Sequence, residues 1–262
     1  MNIWNELLIR PILNLLIVLY KGFSAAAIPG AFGFAIVALT AIVRGALSPI
    51  TNAQLASAKK MQLLKPKLDN LTKKHKEDKV ALQKAQLSLY KEEGINPASG
   101  CLPLIVQIPV FIALYNVFSL ILTNGATVEV VNKINAFVYH PLLQLSKLDL
   151  FFLGANLTTK PNEWQTQGVW LLSIPVITGV LQFIQTRLMT SEPHKSNTEP
   201  KKESPQPDDA MQMQKQMGMI MPVMVGFFAL SFPLGLSLYW NTFTLFGIMQ
   251  QLSINRKHSQ HG

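Results

Sequence analysis

An all-α, polytopic membrane protein is the fold class this sequence predicts, and three observations predict it. Of 262 residues, 49% are hydrophobic and only 14% charged, well below the roughly 25% charged share of a soluble domain. Five stretches, 30–50, 101–123, 168–188, 216–231 and 232–253, are long and apolar enough to read as transmembrane helices, which need about 20 residues. The basic residues, finally, crowd into alternate connections between those stretches.

Taken in order, residues 1–29 open with the apolar run 3–20, which carries Trp4, Glu6 and Arg10 and is broken by Pro11. It lacks the basic n-region and small-residue cleavage site of a secretory signal. The favoured reading is an amphipathic helix lying in the outer interface; a sixth span there would disturb the charge count.

Transmembrane helix 1, 30–50, contains Arg44. A guanidinium cannot shed its charge, and placing one at the centre of a membrane helix costs roughly 2.5–3.5 kcal/mol on insertion scales. Neither this span nor the other four candidate transmembrane stretches holds an acid to pair with it. A water-filled recess is therefore the reading, against the alternative that Arg44, six residues before Ile50, snorkels to the interface.

Residues 51–100 form a helical hairpin by pattern. Met61, Leu64, Leu68 and Leu71 make one apolar stripe and Leu82, Ala85 and Leu89 a second, with the polar turn 73–79 between them. Pro66 is expected to interrupt and bend the first helix. The hairpin's ten lysines suit either a solvated face or contact with anionic lipid, ribosomal RNA or an acidic partner. Gly94, Asn96-Pro97 and Gly100 end the hairpin and restart a helix.

Transmembrane helix 2, 101–123, is loosened by Pro103 and Pro109 and carries Gln107 about two turns inside. The loop 124–167 is too short for a domain, and Trp164 and Trp170 mark an interface. Transmembrane helix 3, 168–188, carries Gln182 and Gln185. A linker, 189–215, reads as disordered over 190–210, and the methionine-rich stretch 211–221 leads into transmembrane helix 4, 216–231. The turn Phe232-Pro-Leu-Gly235 divides a run of nearly forty residues, so that 232–253 is transmembrane helix 5, bearing Trp240, Asn241, Thr242 and Thr244. A short tail, 254–262, follows.

Charge sets the orientation. The 51–100 loop, the 187–215 segment and the tail together hold seventeen Lys and Arg; the opposite side holds five, Arg10, Lys21, Lys133, Lys147 and Lys160. The positive-inside rule then places the N-terminus outside and the C-terminus in the cytosol. Singly, each intramembrane polar residue is explained as helix–helix glue. Together with Arg44 they concentrate polarity in the inner half of several spans, which predicts a hydrophilic recess open to the cytosol and closed outward.

No metal-ligand cluster, nucleophile elbow or phosphate-cradling loop is present, so neither an enzyme nor a cofactor is expected. Cys101 stands alone, which excludes an internal disulfide. All five histidines fall in loops or tails, nothing matches a sequence-specific DNA-binding motif, and no internal repeat suggests a secondary transporter.

Four stretches carry a family resemblance: 40–50 around Arg44 (TAIVRGALSPI), the lysine-rich hairpin with 61–68 (MQLLKPKL), 94–115 (GINPASGCLPLIVQIPVFIALY) and 232–251 (FPLGLSLYWNTFTLFGIMQQ). The chain resembles the YidC/Oxa1/Alb3 membrane protein insertases from about Trp4 to Gln251, and the third stretch is very specific. The resemblance implies a chaperone that inserts client proteins into the bacterial plasma membrane through a groove. Arg44 would supply the groove's positive charge, with Gln107, Gln182, Trp240 and Asn241 as further candidates. It implies nascent membrane proteins as clients, lipid contact, and the hairpin as the contact for ribosome, signal recognition particle receptor or Sec translocon. The extra N-terminal span and large periplasmic domain of Gram-negative members, and the lipoprotein signal of Gram-positive ones, are not expected. Two other functions predict different things. A passive assembly scaffold would not need Arg44, and a small-solute transporter would want polar positions across the full bilayer.

Overall fold

Apolar side chains at positions 13, 16, 17 and 20 share one helical face, and in the computed structural model that face is buried. The structure describes residues 3–75, 78–94, 102–122, 125–190 and 220–259. The Asn96-Pro97 pair, Gly100, Cys101 and the linker 191–219, with most of the methionine-rich stretch, lie outside the described residues.

Helix α1 (Arg10–Ala25), preceded by a π-helical turn Asn5–Ile9, buries Leu13, Asn14, Leu16, Ile17 and Tyr20. Its polar side chains find partners both within the helix and across the fold. Arg10 pairs with Glu6 at 2.7 Å, and Asn14 donates to the carbonyl of Phe137 (3.0 Å) and accepts from the Tyr139 N–H (2.7 Å). The stretch Asn5–Ala25 is also long and apolar enough to cross a membrane, as are Ala31–Ser57 and Val169–Met189. Interfacial placement, read from its amphipathic pattern, is thus one of two placements its length allows.

Helix α2 (Ala31–Leu63) does not end near Ile50; it runs on through Pro49 for 33 residues. The expected interruption falls at Leu64, and Pro66 sits in the first turn of α3 (Lys65–Lys74). A proline there starts a helix instead of bending one, because its missing N–H would be unbonded anyway. Helix α4 (Lys79–Glu92) is capped by the Asp78 carboxylate, which accepts from the N–H groups of Val80 and Ala81. It packs against α3, and Lys67 pairs with Glu93.

Helix α5 (Leu102–Leu122) contains Pro109 without a break. The following segment is short but folded. Thr127 caps α6 (Val128–Phe137), and the Asn135 side chain both accepts from the Leu145 N–H (2.8 Å) and donates to the Leu145 carbonyl (2.9 Å). Strands β1 (Phe151–Phe152) and β2 (Ala155–Asn156) form an antiparallel hairpin whose turn residues, Leu153 and Gly154, both have positive φ. Val130, Ile134, Leu148, Leu150 and Leu157 of this segment join one core with Leu16, Ile36, Phe118 and Tyr239. The segment therefore caps the bundle and shares its core, as its length requires.

After a single helical turn, α7 (Trp164–Gln167), come α8 (Ser173–Thr190), α9 (Ile220–Ala229) and α10 (Leu234–Ser259). Helices α8 and α9 cross at Gly179 and Gly226, where the absence of Cβ atoms lets the backbones approach. The break between α9 and α10 falls where Phe232-Pro233 placed it. The N–H groups of Leu234 and Gly235 donate to Thr159 and Leu157 carbonyls at 2.9 Å, fastening the turn to the capping segment. Helix α10 packs along both α2 and α8 and is the axis of the site.

Candidate functional site

Polar side chains recur along α2 at four-residue spacing: Thr40, Arg44, Ser48 and Asn52. Residues four apart lie on one helical face, so these share a stripe. Thr178, Gln182 and Gln185 form a similar stripe on α8, and Ser237, Asn241, Thr244 and Gln251 on α10. Because α10 contacts the other two helices, much of the polarity of the bundle is gathered around it.

Arg44 is partly buried against α10. Its Nη2 donates to the Phe243 carbonyl at 2.8 Å, and its guanidinium carbon lies 3.5 Å from the centroid of the Phe243 ring, well within cation–π range. Its Nε is buried and has no hydrogen-bond partner among the described residues. Gly247 makes the approach possible. A Cβ there would stand 2.8 Å from Arg44 Nη2 and 2.3 Å from Gln185 Nε2, so the cation and the amide meet α10 where it has no side chain.

On the hairpin side, Arg44 lines a cavity of about 550 Å³ between α2 and α10, with Ser48, Asn52, Gln250 and Ser253 among its walls. Gln250 donates to Asn52 Oδ1 at 2.8 Å, tying the two walls together. The walls also include Phe246 and Met249, and none of the lining residues is acidic. The result is a cavity with one fixed positive charge, neutral hydrogen-bonding groups and no carboxylate. It can receive an anion, and no group of three or more His, Cys, Asp or Glu able to hold a metal occurs among the described residues.

Of the residues singled out from sequence, Arg44 lines this cavity. Trp240 lies at the α5–α10 contact, its ring edge-on to Phe111 at 5.4 Å. Its Nε1 and the Oδ1 of Asn241 are buried with no partner among the described residues, so α10 carries hydrogen-bonding capacity beyond the cavity itself. Gln182 is half-buried one turn from Gln185, and the side chain of Gln107 lies outside the described residues. Sequence reasoning did not single out Ser48 and Asn52, although their spacing from Arg44 was a usable signal. Phe243 and Gly247 gave none, since a Phe and a Gly in an apolar helix are unremarked.

A family profile described as 60Kd inner membrane protein matches residues 23–261. The chain belongs to the YidC/Oxa1/Alb3 family. It is 30% identical over 260 residues to the membrane protein insertase YidC of Oceanobacillus iheyensis, a match covering 97% of this chain and 84% of that protein. It is 34% identical over 228 residues to the YidC of Pelagibacter ubique, covering 87% of this chain but 36% of that protein. ALBINO3-like protein 1, chloroplastic, of Arabidopsis thaliana is 31% identical over 268 residues, covering 97% of this chain and 49% of its own length. This YidC/Oxa1/Alb3 member thus spans about a third to a half of several curated relatives and most of another. Among the described residues three helices are long and apolar enough to cross a bilayer, and with its family this makes it a membrane-inserted protein.

Proposed function

We propose that this chain is a membrane protein insertase and chaperone whose cavity around Arg44 receives the polar segment of a client. The observation that carries the proposal is a partly buried guanidinium at the wall of a cavity lined by no carboxylate. A pair of unit charges 4 Å apart interacts by about 1 kcal/mol in water but about 4 kcal/mol at an effective dielectric of 20. An acidic segment is therefore drawn to Arg44 more strongly than to any exposed lysine. The recess also shortens the apolar barrier such a segment crosses, and partitioning of the client's apolar span into lipid drives the rest, so no nucleotide is required.

In this reading α2, α5, α8, α9 and α10 are five spans, including the two shorter apolar helices Ile108–Leu122 and Ile220–Ala229. The N-terminus is outside, the C-terminus and the α3–α4 hairpin are cytosolic, and the cavity opens inward. Ile108 and Ile112 of α5, with Val223 and Phe227 of α9, are exposed apolar side chains along which a client helix slides into lipid. Gln107, Gln182, Trp240 and Asn241 supply hydrogen bonds deeper in the groove, and the basic hairpin contacts ribosome, targeting receptor or Sec translocon.

The test is site-specific crosslinking during insertion into liposomes, in a background where Cys101 is replaced by Ser. A client cysteine within the acidic segment is expected to couple to Ser48→Cys and Asn52→Cys, and not to Phe34→Cys near the opposite end of α2. Equal coupling at all three positions contradicts a cavity-guided path.

A further inference from the structure

Arg44 already has an occupant of its own. Two groups of one residue hold it: the Phe243 ring, 3.5 Å from the guanidinium carbon, and the Phe243 carbonyl, 2.8 Å from Nη2. Phe243 is itself fixed, packed against Tyr239 at 5.9 Å between ring centroids and against the bundle core. A guanidinium with its planar face on an aromatic ring and an edge on a carbonyl is partly neutralised before any ligand arrives. Its Nε has no partner among the described residues, so the resting arrangement satisfies the cation incompletely, and the cavity that Arg44 lines is where a stronger acceptor can reach it.

We propose that Phe243 is a built-in competitor for Arg44, whose ring and carbonyl an incoming carboxylate must displace, so that Phe243 sets how many acidic residues a client segment needs for efficient insertion. The inference rests on the reading of Arg44 as the attractant and adds what tunes it. Without the competitor, the cation would hold any single carboxylate and release it slowly. With it, one acid is in near balance with the internal contacts, and several acids, presented in succession, win by their higher local concentration. The geometry places the switch in the cavity wall, so a displaced guanidinium moves toward Ser48 and Asn52 and not into the core.

A desolvated cation–π contact corresponds to about a 5- to 30-fold bias in such a competition. The experiment uses the full chain in liposomes and clients that differ only in carrying zero, one or four acids in the translocated segment. The readout is the ratio of one-acid to four-acid insertion by protease protection, which a general loss of folded protein does not move. Phe243→Leu is expected to raise that ratio about 5-fold or more, and Phe243→Tyr, which keeps an aromatic face, to restore the wild-type ratio. An unchanged ratio in Phe243→Leu, with wild type still dependent on acid number, overturns the competitor and leaves Arg44 as attractant. Insertion by wild type that is indifferent to acid number, and equal in Arg44→Gln, overturns both. A second measurement needs no client: phenylglyoxal modification of Arg44, followed by peptide mass spectrometry, should accelerate about 5-fold in Phe243→Leu, and an unaltered rate overturns the proposal by itself.

Discussion

Gly33 and Gly247 each lie where a neighbour occupies the space of an absent Cβ, but the neighbours differ in kind. At Gly33 the space is filled by the Phe152 ring, with Cδ2 at 2.1 Å and even the Phe152 Cβ at 2.8 Å. That ring is held edge-on to Phe34 and packs against the core. At Gly247 the space is filled by the far ends of the long side chains of Gln185 and Arg44. The end of the bundle covered by residues 125–168 is apolar, interlocked and closed. The end toward the hairpin gathers polar side chains around a cavity, and there Arg44 Nε and Gln251 Oε1 are buried with no partner among the described residues. One pair of helices, α2 and α10, runs from the first environment into the second, so the closed end can hold the geometry that the open end uses.

The contrast breaks most readily in the closed end. Phe118 is 1% exposed within the core, and Phe118→Ala should cost about 3–5 kcal/mol, the usual range for such truncations. Its unfolding midpoint in detergent would fall, with insertion of all clients reduced in proportion. Gly33→Val should follow, at about 1–3 kcal/mol from overpacking against Phe152, read by the same denaturation curve. Gly247→Ala sharpens the comparison. The displaced atoms are flexible ends, so stability should shift by less than about 1 kcal/mol, within the range of a tolerated packing change. Insertion of an acidic client should nevertheless drop several-fold, since Arg44 and Gln185 lose their seat; stability and insertion falling together would contradict the division. The smallest effect belongs to an exposed pair. Lys133, at 2.7 Å, holds the Glu129 carboxyl below the usual carboxylate range by hydrogen bonding and charge, but the group is fully exposed and solvent-screened. Glu129→Gln should leave both the unfolding midpoint and insertion unchanged.

Much of this architecture was legible because membrane constraints act on local pattern. Apolar run length gave the helices, Phe232-Pro233 gave the α9–α10 break, and Arg44, conspicuous as an ionised group in an apolar helix, lies at the wall of a cavity. The continuation of α2 beyond Ile50 was not legible: Pro49 has the look of a terminator, yet a long helix tolerates one missing N–H when its neighbours fix it. The fold of 125–168 was missed because its stability comes from side chains shared with α1, α2 and α5, which only tertiary packing reveals. The seat of Arg44 was half legible. Ser48 and Asn52 follow from spacing, whereas Phe243 and Gly247 depend on the register of α10 against α2, and no single-helix pattern encodes that.

The central claim is that the charge of Arg44 draws an acidic client segment into the cavity. The most direct test scores protease protection of such a segment in liposomes containing wild type, Arg44→Lys or Arg44→Ala. The account predicts protection with wild type and Arg44→Lys and a loss of about 10-fold with Arg44→Ala, the equivalent of about 1.4 kcal/mol. Equal protection by all three would contradict it.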